Sequence, residues 1–269
     1  MPSTKPCVEV EMVCEELDGM LTRLKLTAIR DRLDNLLDEA GRRDLNLREA
    51  LHFLCQAEVE HKESRRIEMG TKIAHFPFVR TLDDFDFAAQ PSIDAKQIRE
   101  LATCRWIANG DSVLLLGPPG VGKTHLGVAL GRSAVASGYS VRFTSATALM
   151  TALMKGRQEG RLEERLIHYG KPKLLIVDEL GYLPFAKEAA HLFFQLISRR
   201  YERGSILITS NRAVSEWGEV FGDGVVATAI LDRLLHHSHI LTIRGDSYRL
   251  KEKRKSGLVK TARLAAEQA

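Results

Sequence analysis

The sequence has no long apolar run: its uninterrupted apolar stretches, such as Val113 to Leu116 and Leu174 to Val177, are strand-sized. A membrane-crossing helix needs roughly 20 apolar residues, so none is expected. A leader pattern is also missing, because Met1 to Val13 mixes Lys5, Glu9 and Glu11 with isolated apolar residues. Cysteine is scarce, and Cys7, Cys14, Cys55 and Cys104 fall without paired ligand spacing. That argues against disulfides and structural zinc and for reduced, structural thiols. There is no internal repeat or low-complexity tract. These absences point to a cytoplasmic, globular protein with no metal site of its own.

What is present begins with an ample core, since 44% of the 269 residues are hydrophobic. The net charge of +4 is modest but unevenly spread. Between Arg244 and Ala269 eight basic residues face three acidic ones, which makes the C-terminal tail a candidate for phosphate contact as well as an ordinary solvated terminus.

Gly117-Pro118-Pro119-Gly120-Val121-Gly122-Lys123-Thr124 fits the phosphate-loop pattern G-x-x-x-x-G-K-[ST] without a mismatch. Glycines allow the backbone N–H groups to curl around a polyphosphate, Lys123 would reach the β- and γ-phosphates, and Thr124 Oγ would coordinate Mg²⁺. A glycine-rich turn that merely ends in Lys-Thr is the plainer alternative. Against it stand a buried strand before the loop, Ser112 to Leu116, and a helix after it, Thr124 to Ser137. A second apolar strand from Lys173 ends in Asp178-Glu179. Asp178 would hold Mg²⁺ and Glu179 would polarise the water that attacks the γ-phosphorus of ATP. The strand from Ser205 ends in Ser210-Asn211, where an amide could bind that water or the γ-phosphate, or simply cap a helix.

Two or three amphipathic helices precede this region. Leu17, Met20, Leu21 and Leu24 recur at helical spacing, and a second pattern runs from about Asn46 to Glu68, becoming densely charged around Arg65 and Arg66. Periodicity fails around Phe76-Pro77 and through Thr81 to Phe87, an aromatic linker expected to dock on the next domain. The chain then alternates: helix 94–109, strand 112–116, helix 124–137, strand 140–144, helix 146–158, strand 173–177, helix 186–203, strand 205–209, helix 227–236 and strand 239–243. Alternation predicts an α/β fold, a parallel sheet with helices on both faces and ligands at the carboxyl ends of its strands. The expected divisions are a helical N-terminal domain over 1–75, an ATPase domain over 76–250 and a basic tail over 251–269. His236, His237 and His239 invite a metal reading; with two on a helix end and one on a strand, structural roles are expected instead.

The set Gly117 to Thr124, Asp178-Glu179, Asn211 and Leu231-Asp232-Arg233-Leu234 resembles the AAA+ P-loop ATPases, in the branch of the bacterial initiator DnaA and the helicase loader DnaC. Within it, Phe193 to Ser205 and Gly245-Asp246-Ser247-Tyr248-Arg249-Leu250 resemble the IstB-type helper ATPases encoded beside a transposase in bacterial insertion sequences. The resemblance covers nearly the whole chain. It implies ATP and Mg²⁺ bound between adjacent subunits, with Arg233 matching the arginine that a neighbour supplies to the γ-phosphate; an ion pair with Asp232 is the plainer role. It further implies a nucleoid-associated ATPase that self-assembles on double-stranded DNA and presents it to a cognate transposase. A helicase loader is the other reading. Arg199, Arg200 and Arg203 are candidates for the subunit contact, with an ordinary charged helix end as the plainer reading. Only 26 residues follow the last expected strand, so the C-terminal lid is expected to be reduced or absent, with Arg249 the candidate second sensor.

Overall fold

The computed structural model describes residues 5–245 together with Ser247 and Tyr248. Arg249 and the tail 251–269 lie outside the described residues. The chain divides into two compact units, Met1–Met69 and Gly70–Ala269, where the loss of periodicity suggested a boundary near residue 75. No helix among the described residues is long and apolar enough to cross a membrane.

The first unit holds helices α1 (Lys5–Arg23), α2 (Thr27–Asp31) and α3 (Leu33–Arg42) and most of α4 (Leu47–Ala74). Its small core gathers Leu21, Ala28, Ile29, Leu36 and Ala40. The start of α4 is set locally by a capping box. Asn46 Oδ1 accepts from the N–H groups of Arg48 and Glu49 at 3.1 Å, and Glu49 returns a carboxylate oxygen to the Asn46 N–H at 2.9 Å. The start of α2 is set from a distance, because Leu26 in its N-cap position has no side-chain acceptor. Buried Glu58 of α4 takes the orphan N–H groups of Ala28 and Ile29 at 2.7 and 3.0 Å, with Lys62 3.5 Å away. Burial pushes the Glu58 carboxyl up; the Ile29 and Ala28 N–H groups and the Lys62 charge outweigh it and hold it below 4.5.

The second unit continues with α5 (Ala95–Ala102), α6 (Arg105–Asn109), β1 (Ser112–Leu116), α7 (Lys123–Ala136), β2 (Val141–Ser145), α8 (Ala146–Gln158), α9 (Leu162–Gly170) and β3 (Leu174–Leu180). Then come α10 (Lys187–Arg200), β4 (Ser205–Ser210), a 3-10 turn (Val214–Glu216), α11 (Trp217–Phe221), α12 (Gly224–Leu235) and β5 (Ser238–Thr242). All strand pairs are parallel, in the order β2-β3-β4-β1-β5. Every residue of β1 and β4 is buried, as sheet positions covered on both faces require. Leu149, Leu153, Phe193, Leu196, Trp217, Phe221 and Ile230 cover one face of β3 and β4 in a single cluster.

Three expectations change. The helix expected over 94–109 is two helices, because Cys104 takes a left-handed φ of 61° and Trp106 folds its buried indole N–H back onto the Leu101 carbonyl at 2.9 Å. The helices α9 and α11 were not expected; α9 buries only Leu166 and Tyr169, and α11 has five residues, too few for a periodic signal. Arg200 is no surface residue. At 1% exposure its guanidinium donates to the carbonyls of Tyr169, Gly170, Pro172, Lys173 and Ser205, tying the turn before β3 to the start of β4. Burial pushes its pKa down to about 10. Arg199 pairs with Glu163 at 2.7 Å.

Candidate nucleotide site

Between β1 and α7 the chain must reverse its hydrogen-bonding pattern within six residues, and glycine permits this, as Gly122 and Gly117 show. Gly122 has φ 97° and lies where an added Cβ would come within 2.6 Å of the Phe85 ring. Gly117 presses on the backbone after β5, so that a Cβ there would collide with the Ile243 carbonyl oxygen. The Gly117 N–H donates to Ser210 O at 3.1 Å and the Ile243 N–H to Leu116 O at 2.7 Å, so β4 and β5 grip the root of the loop.

Helix α7 begins at Lys123 with no side-chain cap, leaving its first N–H groups and the positive end of its dipole facing the loop. That is an anion site by construction. The Lys123 ammonium donates to the carbonyls of Gly117 and Pro118 at 2.7 and 2.8 Å. Burial pushes this ammonium below 10.5, against the opposing pull of Asp178 and Glu179. A phosphate would replace those carbonyls with a full countercharge.

Strand β4 lies between β1 and β3, so one of its side chains can reach the carboxyl end of both neighbours. Thr209 does so. Its hydroxyl donates to Asp178 Oδ1 at 2.5 Å and accepts the Glu179 N–H at 2.9 Å. From the other side Thr124 Oγ1 donates to the same Asp178 oxygen at 3.0 Å. Asp178 is only 6% exposed, and burial pushes its carboxyl above 3.8 although both hydroxyls favour the charged form. A hydroxyl and a carboxylate meeting beside the phosphate loop are hard oxygen donors of the type that suits Mg²⁺, so the residues present fit that ion.

Glu179 differs from its neighbour. The β3–β4 register shifts between Val177 and Leu180, and Glu179 sits in that bulge with φ 61° and an exposed side chain. A non-glycine residue held left-handed costs of order 1–3 kcal/mol, and here the Thr209 hydroxyl fixes it. Asn211 follows Ser210, the partner of Leu116 in the β1–β4 register, and therefore stands at the root of the loop. The next helical segment is preceded by Ala213, so Asn211 is no helix cap, and its buried Oδ1 has no hydrogen-bond partner among the described residues.

The structure does not bring Arg233 to the loop. It lies near the end of α12, just before β5 begins, at the amino ends of the parallel strands, whereas the loop is at their carboxyl ends. Its guanidinium rests 4.7 Å from the centre of the Phe194 ring and donates to Ala229 O at 3.1 Å, without an ion pair to Asp232 among the described residues.

Residues 76–90 supply a wall that motif reading did not assign. Thr81 O meets His125 Nε2 at 2.9 Å, the Phe85 and His125 rings meet edge to face at 5.1 Å, and Gln90 Nε2 donates to Val121 O at 3.3 Å. Phe85, Gln90 and His125, with Phe78, Arg80 and Tyr248, line a cavity of about 580 Å³ beside the loop. The aromatic content of 76–87 was the visible signal; its target needed the fold.

Residues 19–256 match the model of the IstB-like ATP binding protein family. A protein of Pseudomonas aeruginosa named as an ATP-binding protein of insertion sequence IS21 is 50% identical over 244 residues, covering 91% of this chain and 92% of its own length. One of Geobacillus stearothermophilus, named for insertion sequence IS5376, is 46% identical over 240 residues, covering 89% and 96%. Among solved structures the chain is similar in fold to DnaI (TM-score 0.53, 22% identity, 64% of this chain and 93% of that one). It is likewise similar to AMPPCP-bound DnaA from Aquifex aeolicus (TM-score 0.52, 20% identity, 70% and 59%). With its parallel sheet and phosphate loop the second unit has the α/β P-loop fold, and the chain belongs to the IstB-like ATP binding protein family.

Proposed function

We propose that the protein is an ATPase that helps transposition: with ATP it assembles on double-stranded DNA, presents that DNA to a cognate transposase, and is reset by hydrolysis. The observation that carries the hydrolytic part is the Thr124–Asp178–Thr209–Glu179 chain of hydrogen bonds beside the phosphate loop. The triphosphate lies on the loop N–H groups and Lys123, with the nucleoside in the cavity walled by Phe78, Phe85 and Tyr248. Thr124 and Asp178 would hold Mg²⁺, which would supply charge neutralisation to the triphosphate. Glu179 takes a proton from the attacking water, and the orphan Asn211 carbonyl oxygen accepts a hydrogen bond from that same water. Thr209 keeps the two carboxylates in separate tasks, one buried toward the cation and one exposed toward the water.

Arg233 completes the site of the next subunit. Its position at the far edge of the sheet supports action in trans, since no side-chain motion could carry it across the sheet. A charge delivered there on assembly stabilises the transition state and links hydrolysis to oligomerisation. The exposed Arg65 of α4 contributes phosphate contacts, and the basic tail adds others, giving salt-dependent binding with little base preference. The helicase-loader reading shares this ATPase core, but the relatives at 46–50% identity bear insertion-sequence names.

The experiment is DNA affinity as a function of salt with ATP, with ADP and without nucleotide. Binding is expected to tighten with ATP and to weaken steeply with salt. Equal affinity in all three states would defeat the reading.

A further inference from the structure

We infer that Glu202, His236 and His237 form a binding site for a divalent transition-metal ion of the zinc class, at the edge of the sheet opposite the phosphate loop. The sequence presents three histidines together, but the fold separates them. His239 enters β5 and turns to Asp111, 3.7 Å away. In its place the turn after α10 brings Glu202, so that one donor atom each from Glu202, His236 and His237 lies within 4.8 Å of the other two. A tetrahedral zinc ion with bonds of about 2.0–2.2 Å spaces its ligands by roughly 3.4 Å. The remaining gap is at most about 1.4 Å, which rotation of exposed side chains can close.

Three features favour a cation here. The histidines stand just past the end of α12, where the negative end of the helix dipole faces outward; the His236 N–H itself binds Asp232 O at 3.2 Å. The Tyr201 hydroxyl lies 2.8 Å from His236 Nδ1 and fixes the imidazole, as hydrogen-bond partners of metal-ligating histidines do. A cavity of about 20 Å³, lined in part by Tyr201, Glu202 and His237, has room for one water-sized occupant. His236 does not line it, and Arg200 and Arg233 do, yet the Arg200 guanidinium is taken up by five backbone carbonyls and that of Arg233 is drawn away to Phe194 and Ala229 O. Two nitrogens and one carboxylate with a fourth position open to water suit Zn²⁺, and Cu²⁺ or Ni²⁺ as competitors; Mg²⁺ and Ca²⁺, which take oxygen ligands, are rejected.

An ion at this site would clamp the end of α12 to the turn between α10 and β4. Arg233 lies one helical turn before His237, so the clamp restrains the residue proposed above to reach a neighbouring subunit. That consequence rests on the proposed function, whereas ion binding does not.

The test uses the untagged full chain, stripped of metal and free of nucleotide, titrated with Zn²⁺ against a chromophoric chelator, with Mg²⁺ in a parallel arm. One equivalent of Zn²⁺ is expected. Glu202→Gln, His236→Ala and His237→Ala should each weaken it by at least about tenfold, while His239→Ala leaves it unchanged. Circular dichroism of the exposed-site variants checks that each is folded. No zinc uptake by the parent chain, or uptake retained in the His236→Ala/His237→Ala double variant through thiols elsewhere, overturns the assignment. Weak ATP hydrolysis or failed DNA assembly would leave the zinc result standing.

Discussion

Replacing Thr209 with valine removes one oxygen from a residue that is 1% exposed and keeps its shape. Two bonds disappear: the donor to Asp178 Oδ1 at 2.5 Å and the acceptor for the Glu179 N–H at 2.9 Å. A hydrogen bond to a charged partner contributes about 1.5–3 kcal/mol, and a buried N–H left without a partner costs about 1–3 kcal/mol, less for the partly buried Glu179 N–H. The losses do not simply add, because Thr124 still donates to Asp178. A net loss of about 2–4 kcal/mol in unfolding free energy is expected. Turnover should fall further than stability suggests. Glu179 is held left-handed in a bulge, and a shift of about 1 Å in a catalytic group costs on the order of a hundredfold. Thr209→Ser, which restores the hydroxyl, should recover both properties. Urea unfolding and phosphate release at saturating Mg²⁺-ATP measure them. If Thr209→Val unfolded within about 0.5 kcal/mol of the parent chain and hydrolysed ATP at half its rate or better, the hydroxyl would not be what positions the two acids.

Lys123→Ala should abolish ATP binding, while Glu179→Gln should keep binding and trap the ATP-bound assembly; parental turnover in Glu179→Gln would sink the catalytic assignment. Arg233→Ala subunits mixed with subunits that carry Arg233 but lack Glu179 should regain turnover, measured as phosphate release at a series of mixing ratios, because each partner supplies what the other site lacks. Asp178 has a folded pKa above 3.8, so its ionised form costs stability that returns as pH falls through the raised value. Asp178→Asn should therefore stabilise the nucleotide-free chain at neutral pH and lose the added stability that Mg²⁺-ATP gives the parent; thermal unfolding with and without the nucleotide reads both. Glu58 has the opposite sign: its pKa is held below 4.5, so its contribution is fully present above 4.5 and is lost as pH falls through the folded value. Glu58→Gln should lower the helicity of the first unit at pH 7 and flatten its acid transition, followed by circular dichroism.

Local patterns gave the strand before the loop and the helix after Ser145 to the residue, since β1 and α8 span the expected stretches. Short helices did not announce themselves. Trp217, Val220 and Phe221 pack against the core from a single turn, and one turn has no period to detect. Arg200 was misjudged because a basic pair at a helix end reads as surface, and only the fold shows five carbonyls converging on its guanidinium.

The sequence by itself determined the nucleotide-binding loop, because a phosphate loop is built from consecutive residues and its glycines, lysine and threonine are chemically specific at fixed spacing. It likewise determined the alternation that makes a parallel sheet. The tertiary structure decided what lies between elements distant in the chain. Strand β4 enters between β1 and β3, which makes Thr209 the bridge between two acids; the 76–90 segment folds over the loop, which turns an aromatic linker into a wall; and Arg233 falls at the opposite edge, out of reach of its own site. Each is a matter of adjacency across the sheet, and strand order is set by how the whole set of helices and strands buries its apolar faces.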